Sequence, residues 1–542
     1  MPTPGIPAVQ LILLLLLVFV VAFSTLALRL KTPYPIVLVV AGLLLGFVPG
    51  IPKVALDPEL VFLVVLPPLL YSAAWATSWR DFRENLTSIA SLAIGLVAFT
   101  VLSVAAAASW LLAGFDWRVG FVLGAVVATT DAIAATSIAK RIGMPKRIVD
   151  ILEGESLLND ATGLLALEFA TAMVVYGETP TISSAILRFL YLIVAGVAVG
   201  LILGRLVEWF EHRIDDGPIE IAVSLLVPYA GYLAAEAIHG SGVLAVVSSG
   251  LYLSRRSSRF FSPSVRLQAF AVWDSLTFIL NGLVFVLIGL QLPYVLAGIK
   301  ELPLTKLLLG GLLFSAFLIF LRLLWSFPGA YVGYLLRKHV FGQRAEWPGN
   351  RQVFVVGWTG MRGVIALAAA ISLPQTIADG SPFPHRNLIL FLTFSVIFVT
   401  LVVQGLTLAP LVRALGLASK PGFDCEGLEA RRLMLEAALA QIQNRDQGKD
   451  LPDSAGLYED LAKHYTQRLA TVQQDENNDV RPELYARYLD VSRELLDIER
   501  DTAIRLRDEG RINDEVLRQL ENELDLSYTR LNAGTRIQSE SA

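Results

Sequence analysis

Long apolar runs recur along the first 415 residues, and short polar segments separate them. Each run is close to the roughly 20 helical residues that cross a hydrocarbon core. Membrane strands would instead alternate in segments of about 10 residues. The pattern predicts an all-α polytopic membrane protein with thirteen helices, at residues 8–28, 35–50, 58–76, 86–113, 118–139, 149–176, 183–206, 218–238, 241–254, 269–295, 304–335, 351–375 and 386–413.

Lys and Arg gather in the loops that follow odd-numbered predicted helices, such as 140–147 and 255–266, and are sparse in the other loops. Basic loops stay on the cytoplasmic side of a membrane. We therefore expect a multi-pass plasma-membrane protein with its N-terminus outside and its C-terminal end in the cytoplasm. The first run has no basic segment before it, and we interpret it as a retained span rather than a signal peptide.

Composition changes abruptly near Lys420-Pro421-Gly422. The chain as a whole is 54% hydrophobic, with mean hydropathy +0.59 and net charge −4. The first part carries an excess of basic residues and the last part an excess of acidic ones. We predict a transmembrane domain at 1–420 and a cytoplasmic tail of amphipathic helices at 421–542, either self-packing or regulatory. The lone cysteine, Cys425, excludes an internal disulfide.

The sixth predicted helix carries four polar residues in the pattern i, i+1, i+4 and i+5, namely Glu155, Ser156, Asn159 and Asp160. At 3.6 residues per turn these side chains share one face. Charge at membrane depth is costly, and intramembrane carboxylates mark ion paths or proton relays by default. Carboxylate, hydroxyl and amide oxygens are hard ligands that suit alkali cations and protons.

One carboxylate can serve both of these ligands. Burial disfavours the charged form of a carboxyl group, so a buried aspartate can take up a proton near neutral pH. A site that binds either a cation or a proton is sufficient for exchange transport. Asp160 fits that role.

Two further polar interruptions lie in the fifth and twelfth predicted helices, at Thr129-Thr130-Asp131 and at 359–363. Broken helices at corresponding positions of inverted repeats point to a transport site. The negative charge of Asp131 suits the positive N-terminal ends of half-helices. The positive charge of Arg362 suits their negative C-terminal ends. Thr129 and Thr130 suit either the site or simple interhelical hydrogen bonds.

Two arginines also lie at membrane depth. Charges in a low-dielectric interior must pair, so we expect Glu155 and Arg362 to form a structural ion pair. By the same reasoning we expect Arg322 to have a structural role.

The chain resembles the monovalent cation:proton antiporters, specifically the sodium/proton exchanger branch of bacterial type. The resemblance covers about the first 415 residues and rests on several motifs in order: "LPPLLYSAAW" (66–75), "TTDAIAATSIAKRIGMPKR" (129–147), "EGESLLNDATGLL" (153–165), "HGSGVLAVVSSGL" (239–251), "RLLWSFPG" (322–329) and "GMRGVIALAAAISLP" (360–374).

The resemblance implies a thirteen-helix inverted-repeat fold, alternating access, and a homodimer in the lipid bilayer. It implies that Asp160 binds the ion and the proton, and that Ser156, Thr130 and Asp131 complete the binding site. Relatives with two acids at positions 159 and 160 are electrogenic, so Asn159 implies electroneutral exchange.

Two positions depart from the family pattern. Ala132 stands where many relatives have proline, which affects the expected break of the fifth helix. Ser72 stands where some relatives place an acid near the ion.

The expected ligands are therefore Na⁺, or another monovalent cation, and H⁺. Neither a cofactor nor a nucleic-acid partner is expected, and no phosphate-cradling glycine loop is present. A K⁺/H⁺ antiporter and a cation channel remain as alternatives. An enzyme is not expected: an intramembrane aspartyl hydrolase would need Asp131 and Asp160 to share a proton. An organic-anion transporter would need a basic site.

Overall fold

The structure is a computed structural model. It describes residues 6–48, 58–111, 115–177, 181–214, 216–299, 303–339 and 347–418. Beyond these it describes 425–447, 482–509 and short stretches between 461 and 528. Lys53, Lys300, Arg344 and the predicted boundary at Lys420-Pro421-Gly422 lie outside the described residues.

The described part of the chain is helical, apart from one isolated β-bridge between Thr376 and Pro382. The prediction of an all-α fold is confirmed. The helices are α1 (Ile6–Arg29), α2 (Tyr34–Gly46), α3 (Pro58–Leu60), α4 (Leu66–Ala76), α5 (Trp79–Ala90), α6 (Val97–Leu111), α7 (Trp117–Ala128), α8 (Ile133–Ile142), α9 (Lys146–Val175), α10 (Ile182–Glu211), α11 (Gly217–Ala237), α12 (Gly242–Phe260), α13 (Pro263–Leu290), α14 (Leu292–Ala297), α15 (Leu304–His339), α16 (Asn350–Trp358), α17 (Val364–Ile371), α18 (Arg386–Val399) and α19 (Gly405–Ala414).

Three π-helical turns join consecutive helices without interrupting the rod: Val61–Val65 before α4, Ser91–Leu96 before α6, and Thr400–Gln404 before α19. As a result α5 and α6 form one span from Trp79 to Trp110, which starts earlier than the predicted residue 86. Ser78 fixes that start, because its side chain accepts a hydrogen bond from the backbone N–H of Asp81 at 3.4 Å.

Ten helices of the described residues are long and apolar enough to cross a membrane. The other three predicted positions hold shorter or more polar helices. α2 is a short apolar helix, α12 carries a polar second half, and α16 and α17 are two short pieces of one interrupted helix. Length and composition alone therefore do not establish the count of thirteen.

The chain divides into two compact units, Met1–Ala418 and Ser419–Ala542. The second unit contains the helices Cys425–Gln447 and Pro482–Asp508. The sequence also predicts a break between tail helices near Gly510, which lies outside the described residues.

Two helices of the first unit are interrupted inside the apolar core, as the sequence predicts. α7 ends at Ala128 and α8 begins at Ile133, while α16 ends at Trp358 and α17 begins at Val364. The two breaks touch, because the backbone N–H of Asp131 donates to the carbonyl of Met361 at 2.8 Å. The continuous helix α9 runs beside the first break and carries the acidic stripe.

Candidate ion-binding site

The polar face predicted for the sixth span lies on α9 and points into the protein. Glu155, Asn159 and Asp160 are 1–2% exposed, and Ser156 is half-buried. The helix is unbroken for 30 residues, so the i, i+1, i+4, i+5 spacing brings these four side chains to one side. The stripe therefore faces other helices rather than lipid.

Side-chain hydrogen bonds join this stripe to the break between α7 and α8. The Thr130 hydroxyl donates to Glu155 Oε1 at 2.9 Å. Asn159 Nδ2 donates to the carbonyl of Thr130 at 3.3 Å and also to its hydroxyl. The amide nitrogen of Asn159 therefore donates to a residue of the break, and this fixes the orientation of the amide group.

Ala132 contributes through its backbone. Its N–H donates to the Ser156 hydroxyl at 3.4 Å. A proline here has no N–H to donate. The departure from the family pattern therefore adds one contact between the break and α9.

The charges of Asp131 and Arg362 lie at opposite ends of the half-helices. Asp131 Oδ1 accepts a hydrogen bond from the N–H of Ile133, the first residue of α8, at 2.8 Å. A Cβ added at Gly363, just before α17, would lie 2.3 Å from Asp131 Oδ2, so this carboxylate also lies against the start of α17. A negative charge is favoured at both positive helix ends.

Arg362 has the complementary position. Its Nε donates to the carbonyl of Val127 at 3.1 Å, and its Nη1 donates to the carbonyl of Gly360. These carbonyls lie at the ends of α7 and α16, where unsatisfied C=O groups carry partial negative charge. Arg362 also donates its own N–H to the Thr400 hydroxyl at 3.2 Å. This geometry fits the expectation that the positive charge of Arg362 lies at the negative C-terminal ends of half-helices.

The expected ion pair between Glu155 and Arg362 is wrong. Arg322 of α15 instead forms a two-pronged pair with Glu155, with Nη1–Oε1 and Nη2–Oε2 distances of 2.5 and 2.7 Å. Both partners are fully buried. Arg362 is held by carbonyl groups, which leaves the carboxylate of Glu155 to Arg322.

Three buried oxygens near the break have no hydrogen-bond partner within the described residues: Asp160 Oδ1, Asn159 Oδ1 and Thr129 Oγ1. Gly163, one turn beyond Asn159 on α9, packs against Thr129, because an added Cβ would lie 2.4 Å from the threonine methyl. Buried polar atoms without partners carry a desolvation cost. A carboxylate, an amide carbonyl and a hydroxyl together suit a small hard cation or a proton.

The sequence did not predict two contributors to the site, namely the side chain of Thr400 and the backbone carbonyls at the breaks. Thr400 lies in an apolar run that shows no sign of its contact with Arg362. The carbonyls of Val127, Gly360 and Met361 belong to the backbone, whose exposure at a break depends on tertiary structure.

Ser72 is half-buried on α4, next to the fully buried Tyr71.

A family model described as "Sodium/hydrogen exchanger, transmembrane" matches residues 14–414. An uncharacterised Na⁺/H⁺ exchanger of Mycobacterium tuberculosis is 35% identical over 531 residues, 96% of each chain. A sodium, potassium, lithium and rubidium/H⁺ antiporter of Bacillus subtilis is 32% identical over 80% of this chain and 65% of its own length.

Among solved structures, a sodium proton antiporter of Methanocaldococcus jannaschii has a similar fold. The TM-score is 0.57 at 20% sequence identity, and the match covers 75% of this chain and 98% of that structure.

Proposed function

The chain belongs to the sodium/hydrogen exchanger family, a family of transporters rather than enzymes, and from this premise we propose that it exchanges Na⁺ for H⁺ across the plasma membrane. Asp160 is the residue that binds the two ions in turn. Asn159, Ser156, Asp131, Thr130 and Thr129 surround it or hold the breaks in place. Transport proceeds by alternating access of this one site.

The observation that carries the proposal is the unsatisfied carboxylate of Asp160. It is 2% exposed, and its Oδ1 has no hydrogen-bond partner within the described residues. Asn159 Oδ1 and Thr129 Oγ1 are buried and unsatisfied as well. A dehydrated monovalent cation would gain all three as ligands, whereas a proton would neutralise Asp160 alone.

Charge counting supports electroneutral exchange. The carboxylate of Asp160 is neutral with a bound proton and neutral with a bound monovalent cation. Glu155 is already paired with Arg322, and residue 159 is an uncharged asparagine. The two loaded forms therefore carry the same charge, and one exchange cycle moves no net charge across the field.

A broader cation range is the second candidate function. The Bacillus subtilis relative is named for sodium, potassium, lithium and rubidium. The unsatisfied oxygens of this site belong to side chains of two separate elements, α9 and the break after α7, and so do not form one rigid ring. Such a site can adjust to ions of different radius, and a K⁺/H⁺ exchange mode fits it.

The proposal includes an orientation and an assembly. The distribution of basic loops supports an N-terminus outside and a tail in the cytoplasm. The transport unit is a homodimer in the bilayer.

Proteoliposomes with an acidic interior and a trapped pH dye test the proposal. Na⁺, K⁺ or Li⁺ is added outside, with the voltage clamped by valinomycin and matched K⁺ except in the K⁺ assay. Cation-triggered alkalinisation of the interior is expected, and its rates rank the cations. Asp160→Asn should abolish it, while Asp379→Asn, in an exposed loop, should not.

Correctly inserted protein that responds to no cation would overturn the proposal. Full activity of Asp160→Asn would overturn the assignment of the site while leaving exchange intact.

A further inference from the structure

A second feature of the membrane unit lies away from the ion site: a cavity of about 750 Å³ between α5, α9, α10, α11 and α12. One wall is α9, through Leu158 and Leu165, and the opposite wall is α10, through Leu192 and Val197. The α9 wall includes Ala161, which follows Asp160 in the chain but projects from a different face of the helix.

The lining cannot hold water well. Most of its surface is apolar, and the hydroxyls of Thr162, Ser248 and Tyr252 are already bonded to protein. Thr162 donates to the carbonyl of Leu158, Ser248 to that of Leu244, and Tyr252 to Glu208. Apolar cavities stay dry unless two or more polar partners hold a water. A dry void of this size would forfeit dispersion contacts on all its walls, so an apolar molecule is the fitting occupant.

The cavity is also open at its side. Leu86, Ile94 and Leu201 line it and are 43%, 39% and 44% exposed. These helices cross the hydrocarbon core, so a lipid chain can enter laterally from the bilayer.

The two ends of the cavity differ in charge. At one end, Glu168 pairs with Arg188 at 3.3 Å, and Glu236 adds a second acid. At the other end lie Trp79 and Arg255. This distribution of charge repels a phosphate group from the end with Glu168 and Glu236 and attracts it to the end with Arg255.

Arg255 has no bonded partner within the described residues, unlike the nearby Arg205 and Arg256. Arg205 and Arg256 both pair with Glu208, at 3.2 and 3.5 Å. Arg255 is exposed and engages in neither contact. Basic pockets between membrane helices on the cytoplasmic side bind anionic lipid headgroups, and Trp is enriched at the same depth.

We infer that this cavity binds one anionic phospholipid of the cytoplasmic leaflet, with an acyl chain between α9 and α10 and its phosphate on Arg255. The leaflet assignment rests on the orientation given under the proposed function. The bound chain fills the space beside the helix that carries Asp160, so it supports α9 on the side away from the breaks.

Photolabelling tests this inference. The full-length protein is reconstituted in phosphatidylcholine vesicles that contain phosphatidylglycerol with a diazirine in its acyl chain, and adducts are mapped by mass spectrometry. Labelling is expected on the cavity-facing residues of α9 and α10. Val197→Trp fills the cavity and should abolish these adducts, whereas Val194→Trp, on the exposed face of α10, should preserve them.

The headgroup contact is tested by charge. Arg255→Gln should weaken the labelling about fivefold, the effect of one basic residue near an anionic surface. Arg259→Gln removes the same charge one turn further along α12, outside the cavity, and should have no effect. Millimolar inorganic phosphate should not compete.

Equal labelling of the Val197→Trp variant and the wild type would overturn the acyl-chain site. Equal loss in Arg255→Gln and Arg259→Gln, or displacement by free phosphate, would overturn the headgroup contact. Labelling is measured without ion gradients, so its failure is distinguishable from a failure of cation exchange.

Discussion

Arg322 and Glu155, 167 positions apart in the chain, form a buried two-pronged ion pair with distances of 2.5 and 2.7 Å. The same guanidinium donates to the carbonyl of Val356 on α16 at 3.2 Å. Glu155 in turn accepts a hydrogen bond from Thr130 in the first break. The pair therefore connects α15, α9, α16 and the break between α7 and α8.

Removing one member of this pair should destabilise the protein strongly. Arg322→Met or Glu155→Leu leaves the charge of the remaining partner unpaired in the interior, at a cost of about 3–5 kcal/mol. Unfolding in detergent, followed by heat or denaturant, measures the change. A double variant, Glu155→Leu with Arg322→Met, should recover most of the loss because it removes both charges and leaves neither without its partner.

Single variants as stable as the wild type, or a double variant that simply adds two losses, would contradict this account of the pair.

The close crossing of the two breaks predicts a steric requirement at Gly363. Its φ of −128° is accessible to any residue, so only space matters. An added Cβ would lie 2.3 Å from Asp131 Oδ2 and 2.5 Å from Asp131 Cβ. Gly363→Ala should therefore destabilise the protein by about 1–3 kcal/mol through overpacking, and should slow transport.

Gly310 on α15 is the matched control, because no atom lies within 4 Å of an added Cβ. Gly310→Ala should be neutral or slightly stabilising, since Ala is favoured over Gly in a helix by up to about 1 kcal/mol. Wild-type stability and transport in Gly363→Ala would exclude a tight crossing.

The sequence predicted the features that depend on local spacing. The polar face of α9 follows from the helical period, and both helix breaks are visible as polar interruptions within apolar runs. The buried position of Asp160 follows because charge avoids lipid.

The choice of ion-pair partner depends on tertiary packing and was predicted wrongly. Arg322 and Arg362 are both buried arginines in apolar runs, and nothing local separates them. The deciding fact is that Arg362 lies where α7 and α16 end, so backbone carbonyls satisfy it and Glu155 is left to Arg322. The interhelical cavity was likewise absent from the sequence pattern, because its walls come from five helices.

Competition at one carboxylate predicts how cation affinity changes with pH. As the pH falls, a larger fraction of Asp160 holds a proton, and more Na⁺ is needed to displace it. Where the protonated form dominates, the apparent KM for Na⁺ should rise about tenfold for each pH unit of acidification, as linkage of two exclusive ligands requires. Initial exchange rates measured at several Na⁺ concentrations and at symmetric pH test this.

The maximal rate should change much less than KM over the same range, because saturating Na⁺ displaces the proton. A KM for Na⁺ that does not depend on pH would exclude a shared site.

Asn159 predicts the response to membrane potential. Asn159→Asp removes the amide that donates to Thr130 and places a second carboxylate next to Asp160. The site could then carry two protons in one direction but one Na⁺ in the other, so each cycle would move one net charge, and each elementary charge moved across 100 mV is worth about 2.3 kcal/mol. Exchange by Asn159→Asp should depend on an imposed potassium diffusion potential, whereas wild-type exchange should not.

Asn159→Ala separates the two effects of this substitution. It loses the hydrogen bonds to Thr130 without adding charge, so its exchange should be slower but still independent of potential. If Asn159→Asp is active and equally insensitive to the imposed potential, the uncharged residue at position 159 does not set the stoichiometry, and the charge must be balanced elsewhere along the path.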